Sequence, residues 1–312
     1  MNKGYEKTVP ERMNDFLLYH REGDGECNGE LLQEYCRMHN FTEPERLMLA
    51  YFYSVTYCCA SAAFLFWHVD DIRKDPEGFA KANKNRIIFQ SDRKYIKMRD
   101  CFEQTLIFFR DNEKMICSRT LLSCAESNFN LCIGKVSGWP QFGRFSAFLM
   151  LETVCMVLGA SLDSGTIVWK DGNTATSGLL NLYGADKAAD AFDKGRYKPI
   201  QRELDALFKD LVSRIRNYGG EPNTAKVETS LCAYRKFYKG SRYNGYYLDR
   251  ILAELNELKR ELPEICDEMF SARARIFDAD MLGEISGWEG IRPLEKKRYL
   301  SEGTMFGLTT TR

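Results

Sequence analysis

The stretch from Glu228 to Arg250 is the densest concentration of groups suited to a phosphorylated, aromatic ligand. Between Tyr234 and Tyr247 stand four basic and six aromatic residues and no acid. Lys236 and Arg242 can pair with phosphate oxygens, while faces such as those of Tyr246 and Tyr247 can stack on unpaired bases. Gly240 and Gly245 flank the entry to a helix expected from about Tyr246, whose first free N–H groups can receive an anion. A core filled by the tyrosines, with the cations merely solvating a helix face, would have the same composition. Both readings stay open.

Two further segments carry candidate chemistry. In Gln90-Ser91-Asp92-Arg93-Lys94-Tyr95, Asp92 can cap the helix that follows or act as an acid–base group. Arg93, Lys94 and Lys97 then crown first turns, where cations oppose the helix dipole unless an anion compensates. That placement favours a phosphate site. In Phe142–Thr153, Arg144 opens an otherwise apolar helix and Glu152 sits two turns along, among Leu149, Leu151 and Val154. An acid in such surroundings is paired with a base or has a raised pKa; a structural ion pair is the plain alternative. Downstream, Ser177-Gly178-Leu179-Leu180-Asn181-Leu182-Tyr183-Gly184 reads as a loop feeding a short helix, with Ser177 as its cap.

The common cofactor-driven chemistries leave no trace. There is no G-x-x-x-x-G-K-[ST], no G-x-S-x-G and no deaminase H-x-E with P-C-x-x-C. The three histidines, His20, His39 and His68, cannot build H-E-x-x-H. Gly134, Gly138 and Gly143 follow no strand and are too loosely spaced for a dinucleotide fingerprint. Lys and Arg total 44 against 44 Asp and Glu, which excludes a generic basic nucleic-acid binder but not a local basic cleft. Lys84 to Arg99 holds six bases against Asp92 alone, whereas Ile276 to Glu289 holds four acids and no base, so neutrality reads as a polarised surface. Eleven cysteines without a C-x-x-C form no disulfide framework and point to a reduced, cytoplasmic setting. Met1 to Glu6 lacks the apolar region of a signal peptide.

The elements that must position these groups are helices. Ile200, Leu204, Leu207, Leu211 and Ile215 form one stripe. Ile251, Leu255, Leu258, Leu262, Ile265 and Met269 form another, which Pro263 kinks or restarts. Further helices are expected over Arg99–Arg110, Lys114–Ile133, Arg144–Leu158 and Ala185–Phe192. Strand signals are confined to Arg86–Phe89 and Gly165–Trp169. Leu47 to Trp67 is 21 residues without a formal charge, long enough to span a bilayer. Its hydroxyls, its three tyrosines and its flanks without Lys/Arg clusters favour a buried central helix and no membrane contact. The fold expected is mainly α, a multi-helix globular domain with at most a small β hairpin or sheet. It forms a single mainly helical catalytic domain over 1–312, with two lobes meeting near residue 160 left open.

These segments, in this order, resemble the bacteriophage amino acid:DNA transferase family of thymine hypermodification, also described as α-glutamyl/putrescinyl-thymine pyrophosphorylases. The resemblance rests on Tyr53-Ser54-Val55-Thr56-Tyr57, Ser91-Asp92-Arg93-Lys94-Tyr95, Gly143-Arg144-Phe145-Ser146 with Leu151-Glu152, and Ser177-Gly178-Leu179-Leu180 with Gly184. It continues through Glu228-Thr229-Ser230-Leu231-Cys232 to Gly245-Tyr246-Tyr247. It implies an enzyme acting in the host cytoplasm on double-stranded DNA that carries a modified thymine, alongside other DNA-modification enzymes. An amine, from an amino acid such as glycine or from putrescine, displaces pyrophosphate from the 5-methylene of pyrophosphorylated 5-hydroxymethyluracil. On that reading Arg93, Lys94, Arg144, Lys236 and Arg242 hold phosphate or pyrophosphate. Glu152 or Glu228 deprotonates the amine, with Asp92 a further candidate, and Tyr95, Tyr246 and Tyr247 shape the base or amine pocket. No cofactor is implied, and a divalent metal assisting pyrophosphate departure stays open. A non-catalytic DNA-binding accessory protein and a helical DNA glycosylase-like enzyme are the alternatives.

Overall fold

The uncharged run Leu47–Trp67 lies at the centre of the molecule, as expected, but as two helices rather than one. The computed structural model describes residues 8–22, 27–89, 96–118, 129–159, 174–183, 201–217, 224–238 and 246–277. Helix α3 (Glu43–Thr56) ends at Tyr57, and α4 (Cys59–Trp67) starts two residues later. Tyr57 adopts the left-handed conformation, φ 56° and ψ 29°, and its N–H closes on Tyr53 O at 2.6 Å. The Thr56 hydroxyl lies within hydrogen-bond reach of Phe52 O (3.0 Å) and Cys58 O (3.2 Å), so the break leaves few backbone groups stranded. At its other end α3 begins on Thr42, whose N–H (2.7 Å) and hydroxyl (2.6 Å) both donate to Glu45. Those bonds hold the Glu45 carboxyl below its ordinary pKa.

Among the described residues there are fifteen α-helices and no strand. The mainly α expectation holds; the hairpin signal at Arg86–Phe89 does not. Lys84–Arg86 forms a turn of 3-10 helix, and beyond it the Ile88 N–H donates to Ser61 Oγ at 3.0 Å instead of to a strand. Gly165–Trp169 and Ala185–Phe192 lie outside the described residues. The helix expected over Lys114–Ile133 is interrupted: α8 (Phe102–Ile116) stops before Cys117, and α9 (Phe129–Ser137) begins afresh.

Two groups of helices share one connected core. In the first, α3 packs on α4 and on α10 (Arg144–Leu158), and α10 also rests on α2 (Cys27–Met38) and α9. Helices α14 (Tyr246–Leu258) and α15 (Pro263–Ile276) close over α2 and α4, with Pro263 restarting the second half of the apolar stripe at the first turn of α15. In the second group, α11 (Thr174–Tyr183) packs along α13 (Thr224–Tyr238). Helix α1 (Val9–Glu22) lies against both and against α12 (Gln201–Asn217). Contact between α10 and α13 joins the groups.

Helix α11 starts earlier than the sequence suggests, so Ser177 is an interior helical residue and not a cap. Beside it Gly178 meets α13 so closely that a Cβ there would overlap the Leu231 carbonyl. Backbone cannot yield as a flexible side chain can. Gly178→Ala is therefore expected to destabilise the protein by about 1–3 kcal/mol, read as a lower denaturant midpoint at unchanged m-value.

Candidate active site

Helix α10 links two polar clusters. Gly143 stands before its first turn in extended conformation and Gly159 ends it in the left-handed region (φ 65°), so its length is set by glycine at both ends. Phe145 and Glu152, seven residues apart, fall on one face about 10 Å from each other. Both are half-buried. Each meets a different neighbour, Glu152 on α13 and Phe145 at the break between α3 and α4.

At the Glu152 end, the Thr229 hydroxyl of α13 donates to Glu152 Oε1. Successive α13 residues then point in different directions. Ser230 hydrogen-bonds His20 Nδ1 of α1 at 2.8 Å, and Leu231 abuts Gly178 of α11. A helix turns about 100° per residue, so Glu228 leaves α13 between the directions of Thr229 and Leu231. Glu228 is buried, in contrast to the half-buried Glu152.

At the Phe145 end, the Phe145 ring lies 5.8 Å from the Tyr57 ring. Behind Tyr57 stands Arg250 of α14, its guanidinium carbon 4.6 Å from the Tyr57 ring centre and 5.4 Å from that of Tyr247. Glu254, one turn on, approaches Arg250 Nε at 3.2 Å, and both side chains are 4% exposed. Burial works against the Arg250 charge, but Tyr57, Glu254, Tyr53 and Tyr247 outweigh it and hold its pKa above the ordinary range. Burial, reinforced by the Glu254 charge, pushes the Cys58 thiol well up. Cys59 is raised by burial too, and its Sγ points at Asn28 O (3.6 Å) on α2. These thiols are packing groups rather than nucleophiles.

Glu152 thus meets α13 at Thr229, the residue next to Glu228 in sequence, and Tyr247 lies against a buried cation. Tyr246 is half-buried, its ring 5.5 Å from that of Tyr247. Lys236 lies two turns beyond Glu228 in the last turn of α13, where a cation suits the helix dipole. It is not at the contact between Glu152 and Thr229. Asp92, Arg93, Lys94, Tyr95 and Arg242 lie outside the described residues; Arg144 opens α10, with its side chain outside them. Thr229, Tyr57, Arg250 and Glu254 have no role expected from the sequence, although Tyr57 and Thr229 fall inside motifs that carry the resemblance and the i,i+4 spacing of Arg250 and Glu254 is the sign of a pair.

Fold and site together define a mainly helical protein whose central helix carries a carboxylate bonded to α13 at its middle and faces a tyrosine-flanked guanidinium near its start. The chain belongs to the amino acid:DNA transferase family, which it matches over residues 47–243, from within α3 to just past α13. It is 27% identical over 215 residues to the serinyltransferase of Salmonella phage ViI, a similarity covering 62% of this chain and 52% of that protein. The chain therefore spans about half the length of this curated relative. No solved structure matches it. Arg250 and Glu254 lie just beyond the family match.

No helix among the described residues is long and apolar enough to cross a membrane.

Proposed function

We propose that the protein transfers a small amine, an amino acid or putrescine, onto the 5-methylene of pyrophosphorylated 5-hydroxymethyluracil in double-stranded DNA. The observation that carries this reading is the family match over residues 47–243, which encloses the half-buried Glu152 and its Thr229 partner. The amine nitrogen attacks the methylene carbon, a C–N bond forms, and the C–O bond breaks with its electron pair leaving on pyrophosphate. Glu152 takes the proton that the amine must lose, with the Thr229 hydroxyl fixing its orientation. Glu228, buried next to Thr229 on α13, contributes negative charge that favours an incoming ammonium ion. Asp92 is the remaining acid of the proposed machinery.

Charge building on the leaving pyrophosphate calls for cations, and Arg93, Lys94, Arg144, Lys236 and Arg242 are assigned to phosphate groups of the DNA or the leaving group. Tyr95, Tyr246 and Tyr247 shape the pocket for the base. A 5-methylene substituent already projects into the major groove, so the base can react without leaving the stack. The reactions that form the 5-hydroxymethyluracil base and pyrophosphorylate its hydroxyl belong to other enzymes acting beforehand.

The test is incubation with an oligonucleotide bearing pyrophosphorylated hydroxymethyluracil and a pool of amino acids plus putrescine, followed by digestion to nucleosides and mass spectrometry. An aminated thymidine is the expected product. Intact binding with unchanged nucleoside would make the protein an accessory DNA-binding module, and release of free base would make it a glycosylase-like enzyme.

A further inference from the structure

Ser177 and Asn181 stand one turn apart on α11 and share a face of the helix. They are 7% and 8% exposed, and neither Ser177 Oγ nor Asn181 Nδ2 has a hydrogen-bond partner within the chain. Buried polar atoms are rarely left in that condition, because each unmet donor carries its full desolvation cost. Two of them on one face of one helix mark a place where something else supplies the acceptors.

The surroundings indicate its chemistry. Gly178, between the two residues, is the point of closest approach to α13, the helix that bears Glu228, Thr229 and Ser230. On the C-terminal side, buried Arg12 of α1 donates from Nε to the carbonyl of Leu182, the residue after Asn181, at 3.2 Å. The two donors thus sit with a guanidinium to one side and a carboxylate-bearing helix to the other. A ligand offering a carboxylate to the donors and an ammonium towards the acid-bearing helix suits both neighbours, and a free α-amino acid does so within one small molecule.

We propose that Ser177 and Asn181 form the carboxylate-reading half of a subsite for a free α-amino acid. This rests on the transferase reading above and narrows it, since a diamine has no acceptor for the two donors. A site built to hydrogen-bond a substrate group rejects analogues lacking that group far more strongly than an apolar site rejects a change of size. Glycine and serine fit; glycinamide lacks the carboxylate charge, and putrescine lacks the carboxylate altogether.

Glycine, serine, glycinamide and putrescine should be compared with the full chain, by calorimetric binding and by single-turnover transfer to the pyrophosphorylated oligonucleotide. Glycine and serine are expected to bind about 10- to 100-fold more tightly than glycinamide or putrescine. Asn181→Asp, which replaces the donor with a negative charge, is expected to weaken glycine binding by at least about tenfold, and Ser177→Ala by less, with DNA binding unchanged. Equal use of glycine and glycinamide, or undiminished glycine binding by Asn181→Asp, would overturn the subsite. The comparison of ligands on the unaltered protein decides the matter even where a variant fails to fold. Failure of the two readings looks different. Amino-acid binding that depends on Asn181 without any transfer to DNA would sink the reaction and keep the subsite. Transfer indifferent to the carboxylate would do the reverse.

Discussion

Glu152→Gln is expected to slow single-turnover transfer by about 10²- to 10⁴-fold, the usual contribution of one positioned acid–base group. Glutamine keeps the shape of the side chain and an oxygen to accept from Thr229, so the α10–α13 contact survives while the proton acceptor is lost. Folding and DNA affinity should therefore stay near those of the wild type. Thr229→Val, nearly isosteric, removes the hydroxyl that orients the carboxylate, and its effect should lie between wild type and Glu152→Gln. Glu228 is the competing candidate for the same role. Its deeper burial fits a charge that attracts the ammonium better than a base that exchanges protons with solvent. Glu228→Gln should accordingly raise the concentration of amine needed for half-maximal rate more than it lowers the rate at saturation. A Glu228→Gln variant inactive at any amine concentration, beside an active Glu152→Gln variant, would exchange the two assignments.

The legibility of these elements in the sequence followed the punctuation available. Helix α10 was readable because Gly143 and Gly159 bracket an apolar run, and α12 and α14 were readable from their 4-3 stripes. Pro263 announced the start of α15. The break at Tyr57 carried no such mark. A tyrosine in the left-handed region is costly and is not anticipated from residue type; stacking on Arg250 and the hydroxyl of Thr56 hold it there, and both depend on packing. Ser177 was misplaced for a related reason. A serine hydroxyl suits a cap as well as a buried helix interior, and only the packing of α11 on α13 shows that Ser177 lies inside the helix.

The same division separates the parts of the site. A lone acid in an apolar helix marks Glu152 as a candidate, whereas its partner Thr229 looks in sequence like any β-branched residue of a helix. Arg250 and Glu254, four residues apart, have the spacing of an ordinary exposed helix pair. Their burial under α2 and α4 is a tertiary fact, and it changes their energetics from slight to large.

That burial underlies the largest stability effect expected anywhere in the described residues. Glu254→Ala is expected to cost about 3–5 kcal/mol, since it leaves a 4% exposed guanidinium without the carboxylate beside it. Arg250→Met should cost a similar amount for the mirror reason, placing the Glu254 charge beside the buried Cys58 thiol with its cation gone. Arg250→Met combined with Glu254→Leu removes both charges and fills their space, and should recover most of the loss by chemical denaturation. The double variant then separates folding from function. Arg250 backs the Tyr57 ring, which touches Phe145 at the start of α10, and also the ring of Tyr247, which the proposed function places at the base pocket, so the cation is assigned to holding that aromatic wall in place. If that is its role, the restored protein should unfold near the wild-type midpoint yet transfer amine at least about tenfold more slowly, with amine affinity at Ser177 and Asn181 intact. Full activity in the stable double variant would reduce the buried pair to a packing device and move the pocket wall elsewhere.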